Sequence, residues 1–165
     1  MVEPTPSEHV IQIQQRAGIR GRVHSSTLRR RAIKVLRQFD LPDSELSLVL
    51  TGDEEIRALN ASWRGKDAAT DVLSFPQEDM PRPPGVRRAL GDVVVSIETA
   101  ERQRARGALP RLRMSGPWSL TDEVTFLMLH GVLHLLGFDH VEDGEAEMME
   151  VTEAAFMYAL LNRRR

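Results

Sequence analysis

The 165-residue sequence predicts an α+β fold in which a small mixed β-sheet packs with about five helices. Short apolar or alternating runs that are typical of strands are interleaved with longer segments of helical periodicity. Two strand-like runs, at 71–76 and 92–97, are separated by a loop alone. Apolar residues make up 41% of the chain, which suffices for a core without disulfides or a structural metal. We therefore expect one domain over residues 1–165.

The first half of the chain contains three predicted strands and two predicted helices. In order, these are a strand at 10–14, a helix from the serine pair at 25 and 26 to residue 39, a strand at 46–50, a helix at 53–63 and a strand at 71–76. The serine pair can cap the first helix. The acidic residues at 53–55 suit the positive end of the second helix, which Gly65 ends. Pro76 ends the last of these strands.

The second half is predicted to contain one strand and three helices. In order, it has a polar loop at 77–90, a strand at 92–97, a helix at 98–106, a loop at 107–117, a long apolar helix at about 120–136 and a last helix at about 143–161. Ser119 and Asp122 have the spacing of a capping box, which favours a helix start at residue 120. The last helix has an apolar stripe made of Ala146, Met149, Phe156 and Leu160.

Charge is segregated along the chain, although the net charge is only −2. Residues 9–39 carry eight basic and no acidic residues, and residues 80–115 carry eight arginines and three acids. Residues 120–153 carry nine acids and no lysine or arginine. This pattern excludes a uniformly basic nucleic-acid binder. It leaves the two basic segments, with the arginines at 29–31, as candidate contacts for a phosphate backbone.

Composition also limits the chemistry and the location of the protein. The absence of cysteine excludes disulfide partners, thiol catalysis and thiolate metal ligands. No uninterrupted apolar stretch reaches the roughly 18 residues that a membrane span needs. The first residues include an acid and two prolines, where a signal peptide needs bases and an apolar run. We therefore expect a cytoplasmic protein without a membrane partner, and the sequence carries no signal for its oligomeric state.

Three of the five histidines lie within eleven residues, at the end of the long apolar helix. His130 and His134 are four residues apart, so on a helix they share one face. Gly137 can adopt the left-handed conformation that ends a helix, and the chain can then turn back with His140. Three imidazoles that leave one position open are typical of a catalytic zinc site. We therefore predict one zinc ion per chain, although nickel, copper and iron also accept imidazole ligands.

The histidine spacing is similar to the H-E-x-x-H-x-x-G-x-x-H motif of the metzincin proteases. Gly131 stands where those enzymes carry the glutamate that acts as general base, so a peptidase of that type would lack its base. Glu123 could orient a metal ligand or complement the helix dipole. Asp139 could support a ligand or form the turn. Neither acid is predicted to be a general base.

Three segments resemble the YbeY family of bacterial metal-dependent endoribonucleases. These are HGVLHLLGFDH at 130–140, LNASWRGKDAATDVLSFP at 59–76 and LGDVVVSI at 90–97. The resemblance covers about residues 44–153. It implies an α+β fold with a zinc ion on His130, His134 and His140. It also implies action on single-stranded RNA, in 16S rRNA maturation and quality control of the small ribosomal subunit.

The resemblance further implies that Arg64 is the catalytic arginine of the family's active site. A guanidinium stays charged and binds phosphate oxygens in a forked geometry, and it can stabilise a charged transition state. An arginine at a helix end can also face the last carbonyls. Lys66 is a further candidate substrate contact. Two alternatives to a zinc endoribonuclease stay open, a zinc-dependent peptidase or other metallohydrolase and a non-catalytic ribosome-binding factor.

Overall fold

A computed structural model describes residues 9–41, 43–105, 117–139 and 142–161. These residues form four strands and five helices, which confirms the predicted α+β class. In chain order they are β1 (Val10–Gln15), α1 (Ser25–Gln38), β2 (Ser44–Thr51), α2 (Asp53–Arg64), β3 (Val72–Pro76), β4 (Arg88–Ser96), α3 (Ile97–Ala105), α4 (Leu120–Leu135) and α5 (Asp143–Leu161). None of these helices is long and apolar enough to cross a bilayer. His140 and the predicted loop at 107–117, apart from Pro117, lie outside the described residues.

The strands form one sheet in the order β1-β2-β4-β3. β1, β2 and β4 are parallel to one another, and β3 is antiparallel to β4. The sheet is therefore mixed, as predicted. Parallel neighbours need a crossover connection, and α1 supplies it between β1 and β2. β3 pairs with β4 alone in this sheet, so it forms an edge strand.

The two faces of the sheet pack against different helices. Alternate residues such as Leu48 and Val93 belong to the main core, which also contains side chains of α1, α3, α4 and α5. On the other face, Leu73 and Val94 pack with Ile56 of α2. Every residue from 120 to 129 is buried, so α4 runs through the main core. This burial explains why the sequence of α4 is apolar almost all round.

The amino end of α4 is fixed by a capping box and an ion pair. Ser119 Oγ accepts a hydrogen bond from the Asp122 amide at 3.0 Å, and the Asp122 carboxylate accepts one from the Ser119 amide at 3.1 Å. The predicted capping box is therefore confirmed. Arg31 of α1 donates to Asp122 at 3.1 Å and to Thr125 Oγ1 at 2.7 Å. The interpretation of Arg31 as a candidate RNA contact is wrong, because its side chain is only 13% exposed and stabilises α1 against α4.

Strand β4 begins at Arg88, within the segment predicted to be a loop. Residues 88 and 89 pair with the start of β2, and the register then shifts at Gly91. Gly91 has a φ of 129°, and a Cβ atom there would lie 2.2 Å from the carbonyl oxygen of Phe75. This irregularity is a β-bulge. The bulge interrupts the alternation of side chains in β4. Because this alternation is the pattern that indicates a strand, the sequence predicts the start of β4 too late.

Asp53, the first residue of α2, connects this helix to the junction of β4 and α3. Its carboxylate accepts hydrogen bonds from Ser96 Oγ at 2.7 Å and from Thr99 Oγ1 at 2.6 Å. It also accepts one from the Arg102 guanidinium at 2.7 Å. Partial burial raises the pKa of Asp53, but the hydrogen bonds from Thr99, Ser96 and Arg102 outweigh burial and hold the pKa below its ordinary value of 3.8.

We expect Asp53→Asn to lower the free energy of unfolding by about 1 kcal/mol near neutral pH, because it weakens these charge-assisted hydrogen bonds. A carboxyl group whose pKa is depressed by folding stabilises the fold above its unfolded pKa, and this stability is lost as the pH falls through the folded pKa. The difference between the two proteins in urea denaturation should therefore shrink below about pH 3.8. Glu54→Gln, which changes an exposed acid in the same helical turn, is the control. A difference that does not change with pH would contradict the prediction.

Candidate active site

A cleft of about 850 Å³ lies along β3, between the carboxyl ends of α2 and α4. Its lining consists of Trp63, Arg64, Thr70, Asp71, all residues of β3, His130, His134, Gly137, Phe138 and Asp139. The cleft therefore brings together the two segments that carry the predicted site residues. Arg64 and His130 are far apart in sequence and are joined here by the edge strand.

Helix α4 reaches the cleft because it packs closely on the sheet at Gly131. A Cβ atom at this position would lie 2.5 Å from Val93 Cγ1 and 3.1 Å from Ser74 Oγ. The Ser74 hydroxyl donates a hydrogen bond to the Gly131 carbonyl at 2.8 Å. A side chain at position 131 would push α4 away from β3 and β4. The general-base glutamate of the metzincin proteases therefore has no room in this packing.

His130 and His134 face each other on α4. Their Nε2 atoms are 3.1 Å apart, and the ring centroids are 4.7 Å apart. Both side chains are partly buried and both line the cleft. The predicted common face of the two histidines is therefore present. Two ring nitrogens point at the same small volume, which is the arrangement that a shared ligand needs.

Glu153 of α5 contacts the other nitrogen of the His130 ring. Its carboxylate oxygen lies 2.5 Å from His130 Nδ1, and its side chain is 2% exposed. With the carboxylate as acceptor, Nδ1 carries the ring proton. The lone pair of the ring then lies on Nε2, the atom that faces His134. Glu153 thus selects the tautomer of His130 that can bind a metal through Nε2.

Glu153 was not predicted as a site residue, although the sequence carries a signal for it. Met149 and Leu160 belong to the predicted apolar stripe of α5, and Glu153 lies four residues after Met149 on the same face. An acid on the buried face of a helix requires a partner. The partner could not be identified from the sequence, since it lies on another helix.

The facing histidines fit a shared metal ion. Two nitrogen ligands about 2.1 Å from a tetrahedral zinc ion lie about 3.4 Å apart, close to the separation of the two Nε2 atoms. Within the described residues there is no group of three or more His, Asp or Glu side chains that could hold a metal. Gly137 has the predicted left-handed conformation, with φ 95°. His140 lies outside the described residues, so its participation stays a prediction.

An aromatic cluster holds the turn that follows α4. The ring of Phe138 packs edge-to-face against Phe39, which follows α1, with centroids 6.1 Å apart. Phe39 is stacked on Phe156 of α5 at 5.2 Å. Phe138 itself lines the cleft. Two other helical segments therefore fix the position from which the chain continues toward residue 140.

Arg64 is the last residue of α2 and lines the cleft with an exposed side chain. Gly65 ends the helix with φ 69°, as predicted, and its amide donates to the Ala61 carbonyl at 3.1 Å. The Lys66 amide donates to the Asn60 carbonyl at 3.2 Å. Backbone amides thus satisfy these helix carbonyls, and the Arg64 guanidinium is not required for them. Among the described residues, the cleft lining includes Arg64 and does not include Lys66.

Glu123 and Asp139, the two acids considered with the histidine motif in the sequence, have different surroundings. Glu123 is 1% exposed and accepts a hydrogen bond from Trp118 Nε1 at 2.6 Å. It belongs to the buried amino end of α4 and is not among the described residues that line the cleft. Asp139 lines the cleft at its turn. Of the two, only Asp139 lines the cleft.

The model of a known protein family, described as "Endoribonuclease YbeY", matches residues 11–160. The chain belongs to the YbeY family. The matched region contains β2 to β4, α1 to α4 and nearly all of α5, so it includes every element of the cleft and Glu153. It extends well beyond the residues on which the resemblance was based.

Curated members of the YbeY family are similar over most of this chain. An Anaeromyxobacter protein named Endoribonuclease YbeY is 47% identical over 135 residues, which are 82% of this chain and 64% of the relative. The Paramagnetospirillum magneticum protein of that name is 44% identical over 73% of this chain and 71% of its own length. The Myxococcus xanthus protein is 40% identical over 92% of this chain, which spans 48% of that relative. The match thus covers about half to about seven tenths of the length of these relatives.

A solved structure has the same fold. The solution structure of TM1509 from Thermotoga maritima matches 93% of this chain and 92% of its own, with a TM-score of 0.53 and 21% sequence identity. At this identity the likeness concerns the fold alone. It supports the α+β arrangement of this YbeY-family chain.

We expect Gly131→Ala to lower the free energy of unfolding by about 1–3 kcal/mol, because the added methyl group collides with Val93. Urea denaturation measures the change. In a Val93→Ala background, Gly131→Ala should cost less than it does in the wild type, since the nearest atoms are gone. Gly144→Ala is the matched control, because nothing lies within 4 Å of a Cβ atom there. Equal stability of Gly131→Ala and the wild type would contradict the close packing of α4 on the sheet.

Proposed function

We propose that this chain is a metal-dependent endoribonuclease that binds one zinc ion and cleaves single-stranded RNA. The cleft supports this proposal most strongly, because two facing imidazoles and an exposed arginine line the same volume. Membership of the YbeY family supports the endoribonuclease activity. The domain would comprise residues 1–165.

His130, His134 and His140 are the proposed zinc ligands. The first two supply Nε2 atoms that already face each other, and the third follows the Gly137 turn. When bound, the ion would supply a Lewis acid that polarises a phosphoryl oxygen. Neutral imidazoles add no charge that would cancel that of the ion, which suits an anionic substrate.

Arg64 is the proposed catalytic residue for charge stabilisation. Its guanidinium is permanently charged and can donate two parallel hydrogen bonds to a phosphate. It stands at the cleft with its helix end capped by backbone amides, so the side chain can turn to a substrate. This role is the same whether water or a ribose 2′-hydroxyl attacks the phosphorus. Lys66 is proposed as a secondary contact for RNA outside the cleft lining.

Glu153 is the proposed positioning residue for His130. Its buried carboxylate accepts a hydrogen bond from Nδ1–H, which places the ring's lone pair on Nε2, the atom that would bind the metal. Such carboxylate partners also fix the orientation of the ring. Glu153 would therefore act on metal affinity through His130, without touching RNA.

The proposed cellular role follows from the family resemblance. We infer that the substrate is rRNA of the small ribosomal subunit, in 16S rRNA maturation and ribosome quality control, in the cytoplasm. Of the rivals, a peptidase of the metzincin type is disfavoured by the packing at Gly131. A non-catalytic ribosome-binding factor would bind RNA without cutting it.

Zinc analysis tests the metal centre. Purified wild-type protein should contain about one zinc ion per chain. His130→Ala, His134→Ala and His140→Ala should each lose most of it, since each removes a ligand. Glu153→Gln should bind zinc about 10- to 100-fold more weakly in a competition titration. Glu150→Gln, an exposed acid on the same helix, is the control. Zinc content that His140→Ala leaves unchanged would remove His140 from the site.

Cleavage of a single-stranded oligoribonucleotide by nuclease-free, zinc-loaded protein tests the activity. Arg64→Ala should lower kcat/KM by about 10²-fold or more, because the developing charge loses its donor. Arg64→Lys should be intermediate, since it keeps the charge and loses the fork. Arg57→Ala, on the same helix, is the control because Arg57 pairs with Asp67. Cleavage that persists in His134→Ala would overturn the enzyme proposal, and cleavage of peptides but not RNA would favour the peptidase.

A further inference from the structure

Trp63 is an exposed aromatic side chain at the cleft. Five large hydrophobic side chains are exposed among the described residues, and Trp63, at 72%, is the only aromatic one. The other four lie on the loop before β4 or on α5, whereas Trp63 lines the cleft together with Arg64 and the histidine pair. A tryptophan side chain can bury a large apolar area, and most of that area stays exposed to solvent in Trp63. A flat ring exposed at the lining of the cleft is available to stack on another planar group.

The indole ring is held without being covered. It packs against Phe75 of β3, with centroids 6.0 Å apart and ring planes at 69°. Phe75 is itself partly buried against the small core under α2. In an edge-to-face pair at most one face of either ring is used. At least one face of the indole is therefore left open by Phe75, while the contact restricts the ring's motion.

The neighbouring residue defines the chemistry of the partner. Arg64 follows Trp63 directly, and both side chains line the cleft. A nucleotide offers a flat aromatic base joined to an anionic phosphate, so it can match a ring and a guanidinium that are adjacent in this way. A purely apolar protein surface would not use the cation. The cleft therefore has the features of a site for one unpaired nucleotide.

We propose that Trp63 stacks on an unpaired nucleobase of the RNA substrate while Arg64 binds the adjoining phosphate. This inference rests on the proposed function, and it gives a structural reason why the substrate would be single-stranded RNA. Within a duplex both faces of a base are covered by neighbouring bases, so such a base must first be unstacked to reach the indole. Trp63 is thus a positioning residue that favours single-stranded over duplex RNA.

Binding titrations with zinc-loaded protein test whether Trp63 stacks on a nucleobase. The probes are a 2′-O-methyl oligonucleotide, an abasic strand of equal length and a duplex of the same sequence. Trp63→Ala should weaken binding of the first probe at least about fivefold and leave the abasic strand unchanged, because stacking is lost while phosphate contacts persist. Trp63→Phe should retain most of the affinity. Met148→Ala, which removes an exposed apolar side chain of α5, is the control.

Intrinsic fluorescence gives an independent readout. The chain has two tryptophans, and Trp118 is only 8% exposed. Stacking on Trp63 should therefore quench the emission with the base-containing probe and not with the abasic strand. If Trp63→Ala weakened binding of the 2′-O-methyl oligonucleotide and the abasic strand equally, or weakened neither, the stacking proposal would be overturned. The endoribonuclease proposal would be unaffected. A wild-type protein that binds neither strand and cleaves no RNA would overturn both.

Discussion

The packing of α4 on the sheet at Gly131 is the contact on which the site depends. With no side chain at this position, the helix backbone approaches Val93 and Ser74 closely, and Ser74 donates to the Gly131 carbonyl. His130 precedes this contact and His134 follows one turn later, so the approach brings both imidazoles to the edge strand. The same approach leaves no room for a glutamate between them. One steric constraint therefore places both histidines at the cleft and argues against the chemistry of the metzincin proteases.

The acidic segment at 120–153 separates into residues with distinct partners. Asp122 caps α4 and pairs with Arg31, whereas Glu123 accepts a hydrogen bond from Trp118. Glu153 holds the His130 ring from α5. These three acids are buried; Asp122 and Glu123 lie at the amino end of α4, whereas Glu153 contacts its carboxyl-terminal half from α5. The segment therefore does not form a single acidic surface. Its buried acids stabilise the structure around α4, which its net charge does not indicate.

Local features of the sequence were predicted well, and non-local ones were not. The capping box at Ser119 and the helix end at Gly65 depend on residues within one turn, so the sequence alone indicates them. The Arg31–Asp122 pair spans 91 positions, and the His130–Glu153 contact spans 23. Nothing in the local pattern specifies either partner. The two facing histidines were predictable because helical periodicity relates residues four apart.

The residues of the proposed site lie at the two ends of the cleft. The carboxyl end of α2 presents Trp63 and Arg64, and the carboxyl end of α4 presents the histidines, with β3 between them. Each end is anchored separately, α2 against the small core and α4 in the main core. A substrate of the proposed kind would therefore have to span β3 to meet both ends. An unpaired strand can adjust its backbone torsions to do so, whereas a duplex has bases already stacked and paired. Under the proposed function, the separation of the two ends would thus favour a single-stranded substrate independently of any base sequence.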